Sequence, residues 1–231
     1  MTFAATLVNT VTGFGLGIIS VMAFSFVIPV SSSVALTALT TVAMGIALTC
    51  IRIRHVRWRL LALPVSFSVV SGFLCVYIGS GLPQETAKRM LGVFLLLLSV
   101  YFFFYASRVK LRATVWNGTV MGILSGAFTG LFGIGGPPMV LYYIACLDDK
   151  SQYMATSQMH FLAVGVCMLI LRIFYHQITV EIIKFFAAAL LPMSAAVYLG
   201  TKLFNKLNEE KLRKIIYFFM ALCGGYFMIA G

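Results

Sequence analysis

The sequence predicts an all-α polytopic membrane protein built from two four-segment repeats, set inverted to one another, each with a glycine-broken first segment. Three observations carry that reading. Of 231 residues, 61% are apolar and only 10% charged, whereas a soluble domain is about half apolar and a quarter charged. At roughly 20 apolar residues per spanning helix, this composition fills about seven spans. The apolar runs are long and unbroken, while a membrane barrel alternates over strands of about ten residues. The order of motifs in the first half also recurs in the second.

The first segment, about 3–28, carries Thr12 and the glycines Gly13, Gly15 and Gly17. The second, about 34–51, follows the turn Pro29–Ser33 and is polar for a span; its stretch SSSVALTALTTVAMG includes Thr37, Thr40 and Thr41. The third and fourth, about 60–82 and 90–107, follow the basic turn Arg52–Arg59 and the charged start of LPQETAKRMLGVF. The fifth, about 114–147, carries Thr129 and the run GLFGIGG, with Gly133, Gly135 and Gly136 followed by Pro137 and Pro138. The sixth, about 153–171, reads SQYMATSQMHFLAVG and places Gln158 and His160 at membrane depth. The seventh and eighth span about 178–201 and 213–230. The chain reads as one membrane domain, with repeat 1 at about 1–107 and repeat 2 at about 113–231.

Four pairs of matches support the duplication: the glycine motifs at an offset of 117, Ala35 and Gly45 with Ala155 and Gly165 at 120, Pro64 and Gly72 with Pro192 and Gly200 at 128, and LPQETAKRMLGVF with LNEEKLRKIIYFF at 125. Internal repeats of this kind are typical of secondary transporters. Positive charge then argues about orientation, because Lys and Arg accumulate in cytoplasmic loops. If the first and fifth segments are re-entrant hairpins, thirteen basic residues gather on one side and four on the other. The thirteen lie in Arg52–Arg59, Arg108–Arg112, Lys150 and Lys202–Lys214; the four are Lys88, Arg89, Arg172 and Lys184. Eight straight spans give nine against eight, which carries no signal. The hairpin arrangement is therefore expected, with six full spans in the cell membrane and both termini outside the cytoplasm.

The glycine clusters carry the functional expectation. Glycine costs a helix interior about 1 kcal/mol relative to alanine, and Pro137 and Pro138 lack backbone donors. Inside a membrane a broken backbone is tolerated where it is buried in protein or lines a wet cavity. The N-terminus of a half-helix then offers free N–H groups and a partial positive charge, which hold anions without a buried Lys or Arg. Close packing is the competing account, and it suits Gly118, Gly122 and Gly126, which recur every four residues. Thr12, Thr40, Thr129, Gln158 and His160 would add side-chain donors around the breaks. Ser and Thr also often bond back to their own helix, and His160 would serve equally as a neutral core histidine.

The six acids lie in loops or at segment ends. A buried carboxylate would repel an anion, so their placement fits an anionic substrate. The net charge of +11 reads as topology-setting loop charge rather than a nucleic-acid footprint. No catalytic or metal-ligand motif appears, and the five cysteines have no ligand spacing. No enzyme activity, cofactor or metal is expected. The partners expected are the lipid bilayer and a small anion, not nucleic acid; the sequence leaves the oligomeric state open.

TGFGLGIISV near the start and GLFGIGGPPMVLYY past the middle resemble the sulfite exporter TauE/SafE family over essentially the whole chain. The resemblance implies a membrane transporter of sulfur-containing anions such as sulfite or small organosulfonates. A passive anion channel and a non-transporting membrane subunit remain the alternatives at the level of sequence.

Overall fold

The computed structural model describes residues 2–13, 15–104, 114–203 and 209–230. The described residues form ten α-helices and no strand. They are α1 (Thr2–Thr12), α2 (Leu16–Ser25), α3 (Val30–Arg52), α4 (Trp58–Ser80), α5 (Gln84–Phe104), α6 (Val115–Phe132), α7 (Gly136–Cys146), α8 (Lys150–Phe174), α9 (Val180–Leu203) and α10 (Glu209–Ala230). A short 3-10 turn, Ile53–His55, joins α3 to α4. Each expected apolar segment corresponds to one helix, except the first and fifth, which are split into α1–α2 and α6–α7. The expected boundary between repeats and the charges Arg108, Lys110 and Arg112 lie outside the described residues.

The splits occur where the backbone enters the left-handed region, at Gly13 (φ 82°), Gly15 (φ 108°) and Gly133 (φ 69°). Only glycine takes that conformation without steric cost. Helix α1 ends at Thr12 and α6 at Phe132, an offset of 120. The backbone therefore matches Gly13 with Gly133, at the same offset as Ala35 with Ala155. The letter motif, at 117, had matched Gly13 with Gly130, because glycines that pack helices look like glycines that break them.

Among the described residues, five helical stretches are long and apolar enough to cross a membrane: Val30–His55, α4, α6, α8 and Val180–Lys202. Helices α1, α2 and α7 have 11, 10 and 11 residues. At 1.5 Å per residue each is about 16 Å long, roughly half of a 30 Å hydrocarbon core.

Helix α4 packs along α6, α1 along α9, α3 against α8, and α5 against α10. Small residues make these contacts close. A Cβ at Gly122 would lie 2.7 Å from the Pro64 carbonyl oxygen, one at Gly130 2.5 Å from that of Gly72, and one at Gly126 would strike that of Ser68. Gly118, Gly122 and Gly126 thus all sit in tight contacts, Gly118 against the Tyr142 hydroxyl. Ser68 Oγ donates to the Gly122 carbonyl at 2.8 Å and Ser71 Oγ to that of Ile123 at 2.9 Å. In lipid, where apolar surface alone does not drive helices together, such packing and cross-helix bonding hold the pair. The main core, including Met22, Leu95, Met139 and Tyr143, surrounds both helix breaks.

All six acids sit at helix N-termini: Glu85 in α5, Asp148 and Asp149 before α8, Glu181 in α9, and Glu209 and Glu210 opening α10. At the first four of these, a carboxylate meets the positive end of the helix dipole. Asp149 caps α8 by accepting from the Gln152 N–H at 2.8 Å.

Candidate functional site

The two breaks touch. A Cβ at Gly17 would come within 2.5 Å of the Gly133 carbonyl oxygen, so the N-terminus of α2 lies backbone to backbone against the end of α6. They face a cavity of about 60 Å³ that is also walled by α3 and α8. Of the residues expected from sequence, Gly15, Gly17, Thr129, Gly133, Gly135, Gly136, Gln158 and His160 line it. Thr12, Gly13 and Thr40 do not. Asn9, Thr41 and Arg172 line it as well.

The donors differ in what they have to offer. The first helical bond of α2 runs from the Ile19 N–H to the Gly15 carbonyl at 2.9 Å. The N–H groups of the preceding turn, Leu16 to Ile18, therefore have no acceptor within their helix. Gly15, at the N-cap, provides no side chain to satisfy them. Helix α7 offers less, because Pro137 and Pro138 occupy its first turn and have no N–H to give. The two breaks are thus alike in backbone course and unequal in the N–H groups they leave free of helical bonds.

The hydroxyls are engaged with backbone. Thr12 Oγ1 donates to the Val8 carbonyl at 2.9 Å, Thr40 to Thr37 at 2.9 Å, and Thr129 to Ser125 at 2.7 Å. Ser125 Oγ donates to the Gly135 carbonyl at 2.7 Å, bracing the second break from α6. Gln158 Nε2 donates to the Gly13 carbonyl at 3.2 Å, and the Tyr153 hydroxyl to the Thr12 carbonyl at 2.9 Å. Helix α8 thereby ties down the first break, with one Gln158 N–H still uncommitted.

His160 is fully buried. Its Nε2 lies 3.4 Å from Ser68 Oγ and its Nδ1 3.2 Å from the Tyr143 hydroxyl. Since Ser68 gives its hydrogen to the Gly122 carbonyl, it can only accept from the imidazole. That assigns the hydrogen to Nε2 and makes Nδ1 the acceptor of the Tyr143 O–H. A neutral imidazole satisfies the whole chain of bonds.

Arg172 corrects the sequence reading, which counted it among loop charges. It is 3% exposed and belongs to the last turn of α8. Its Nη2 donates to the Gly130 carbonyl at 2.6 Å and its Nη1 to Gln177 Oε1 at 2.7 Å, while Nε has no partner among the described residues. Gly130 is among the last four residues of α6, whose carbonyls lack helical partners. The spacing held a signal: Phe161, Gly165, Met168 and Arg172 recur at the helical period, and all four line the cavity. Without Arg172, the charge count in the loops becomes thirteen against three.

A polytopic helical chain whose two broken helices meet over a shared cavity has the architecture of a membrane transport protein. A family model described as "Sulfite exporter TauE/SafE" matches residues 1–227. The chain belongs to the TauE/SafE sulfite exporter family, a family of membrane transporters. It is also 28% identical over 145 residues to the "Probable sulfite/organosulfonate exporter TauE" of Cupriavidus necator, an alignment covering 61% of this chain and 57% of that protein. The chain thus spans somewhat more than half the length of that curated relative. No solved structure matches.

Proposed function

We propose that this chain is a secondary transporter that exports small anions, sulfur oxyanions such as sulfite or small organosulfonates, by alternating access in the cell membrane. The observation that carries the reading is the meeting of two helix breaks over a cavity lined by the first turn of α2, whose N–H groups have no acceptor within their own helix, and by no Asp or Glu. Backbone N–H groups at a helix N-terminus hold an anion directly. At roughly 10–15 Å³ per water-sized group, the cavity admits about four to six such groups, which suits a sulfite-sized ion. The name of the relative from Cupriavidus necator points to the same class of substrate.

The moving parts in this reading are two inverted halves, α1–α5 and α6–α10. Helix α1 packs on α9 as α6 packs on α4, while α3–α8 and α5–α10 pair with their counterparts. A two-fold relation exchanges these contacts and maps one break onto the other. The basic turn Arg52–Arg59 then faces the cytoplasm, and both termini face away from it.

The test is flux in proteoliposomes loaded with sulfite, sulfoacetate, taurine or sulfate. Saturable export with counterflow is expected, and unsaturable flux would point to a channel instead. A Cβ at Gly135 would strike Thr129 Oγ1 and lie 2.7 Å from the Ser125 carbonyl oxygen. Gly135→Val should therefore abolish flux while the protein still inserts. Normal transport by that variant would place the site elsewhere.

A further inference from the structure

Arg172 lines a second cavity as well as the central one. This second cavity, of about 70 Å³, lies between the start of α3, the ends of α4 and α6, and the start of α5. Ser31 and Gln84 stand at its exposed edge, and Gln177 completes its polar lining. It is found at the opposite end of α4 and α8 from the groove that holds Arg57, Asp149 and Gln152. The guanidinium thus lines both the central cavity and this second one, which lies toward the end of α4 and α8 away from the basic turn.

The surroundings of this cation are unusual. Both of its partners are neutral oxygens, and its Nε–H is buried with no partner among the described residues. Capping the end of α6 accounts for one N–H only, and any amide or ammonium would serve there. A buried charge without a counter-ion is costly, and inside a membrane it marks a functional position. A planar fork with a free N–H is suited to an oxyanion.

We propose that Arg172 is the charge-selecting residue of the anion path, meeting the substrate as it passes from the central cavity into this second cavity. The proposal rests on the transport reading above. Backbone donors at the N-terminus of α2 hold the anion, and Arg172 supplies the positive charge that draws it toward the second cavity.

The experiment compares wild type, Arg172→Lys, Arg172→Gln and Gln177→Glu, each as the full chain, by sulfite flux and by sulfite-dependent melting in detergent. Arg172→Gln keeps an amide to cap Gly130 and loses the charge. It should raise the KM for sulfite at least about tenfold and abolish the sulfite-induced rise in melting temperature. Arg172→Lys should restore part of both. Gln177→Glu places a carboxylate where Nη1 now donates at 2.7 Å. It should raise the melting temperature without sulfite and raise the KM at least about tenfold, a combination that a purely structural arginine does not produce. If Arg172→Gln does not fold, Gln177→Glu decides alone. Wild-type KM and wild-type sulfite response in the folded variants would overturn the role of Arg172 while leaving the transport reading intact. A wild-type protein that moves none of the anions overturns both.

Discussion

Replacing Gly17 by alanine tests whether the two breaks are held backbone to backbone. The added Cβ would lie 2.5 Å from the Gly133 carbonyl oxygen, about 0.9 Å inside ordinary contact. That oxygen cannot rotate away. Gly133 is pinned by its own N–H to the Thr129 carbonyl at 2.9 Å, and Ile134 by its N–H to that of Phe128 at 3.2 Å. Overpacking costs about 1–3 kcal/mol, and an unyielding backbone puts the cost at the upper end. Alanine recovers at most about 1 kcal/mol of helix propensity, so the net loss is about 2 kcal/mol. For a chain of this size that lowers the melting temperature by about 4–8 °C. Gly225 is the control, since a Cβ there meets nothing within 4 Å. Gly225→Ala should leave the melting temperature unchanged or raise it by up to about 4 °C. Thermal unfolding in detergent, followed by a thiol-reactive dye on the free cysteines, reads both. A Gly17→Ala protein as stable as wild type would falsify the close approach of α2 and α6.

Two further outcomes follow from single hydrogen bonds. Tyr143→Phe leaves His160 Nδ1 without its partner and should cost about 1–3 kcal/mol in denaturant unfolding; an unchanged midpoint would refute the hydrogen bond between Tyr143 and His160. Asp149→Ala removes the cap on α8 and should cost about 1 kcal/mol, whereas Asp149→Asn should lose little; equal losses in the two would mean that charge, not capping, matters there.

The helices were legible because lipid leaves a blunt signature, long apolar runs bounded by polar turns. The breaks were legible because only Gly and Pro interrupt such runs. What the letters concealed was phase and partnership. Thr40 and Thr41 are neighbours in sequence and about 100° apart on the helix, so Thr41 lines the cavity while Thr40 bonds back to Thr37. Gly130 and Gly133 look equivalent until φ separates a packing glycine from a breaking one. Pro137 and Pro138 mark the second break and also deprive it of donors. Arg172 was hidden by its position at the edge of an apolar run, where a loop charge and a buried charge read alike. Its burial depends on α6, whose residues are about forty positions away.

The pairing of α1 with α9 and of α4 with α6 means that each half of the chain clasps the other half's broken helix. Neither half would be a self-sufficient module: cut in the linker and made alone, each would lack the groove that seats its own bent arm. Made together as two polypeptides, they would have every reason to find one another. On the proposed alternating-access reading, a tilt of one half would drag part of the other half's cavity wall along, so the shape of the cavity and the tilt of the halves would be mechanically one variable.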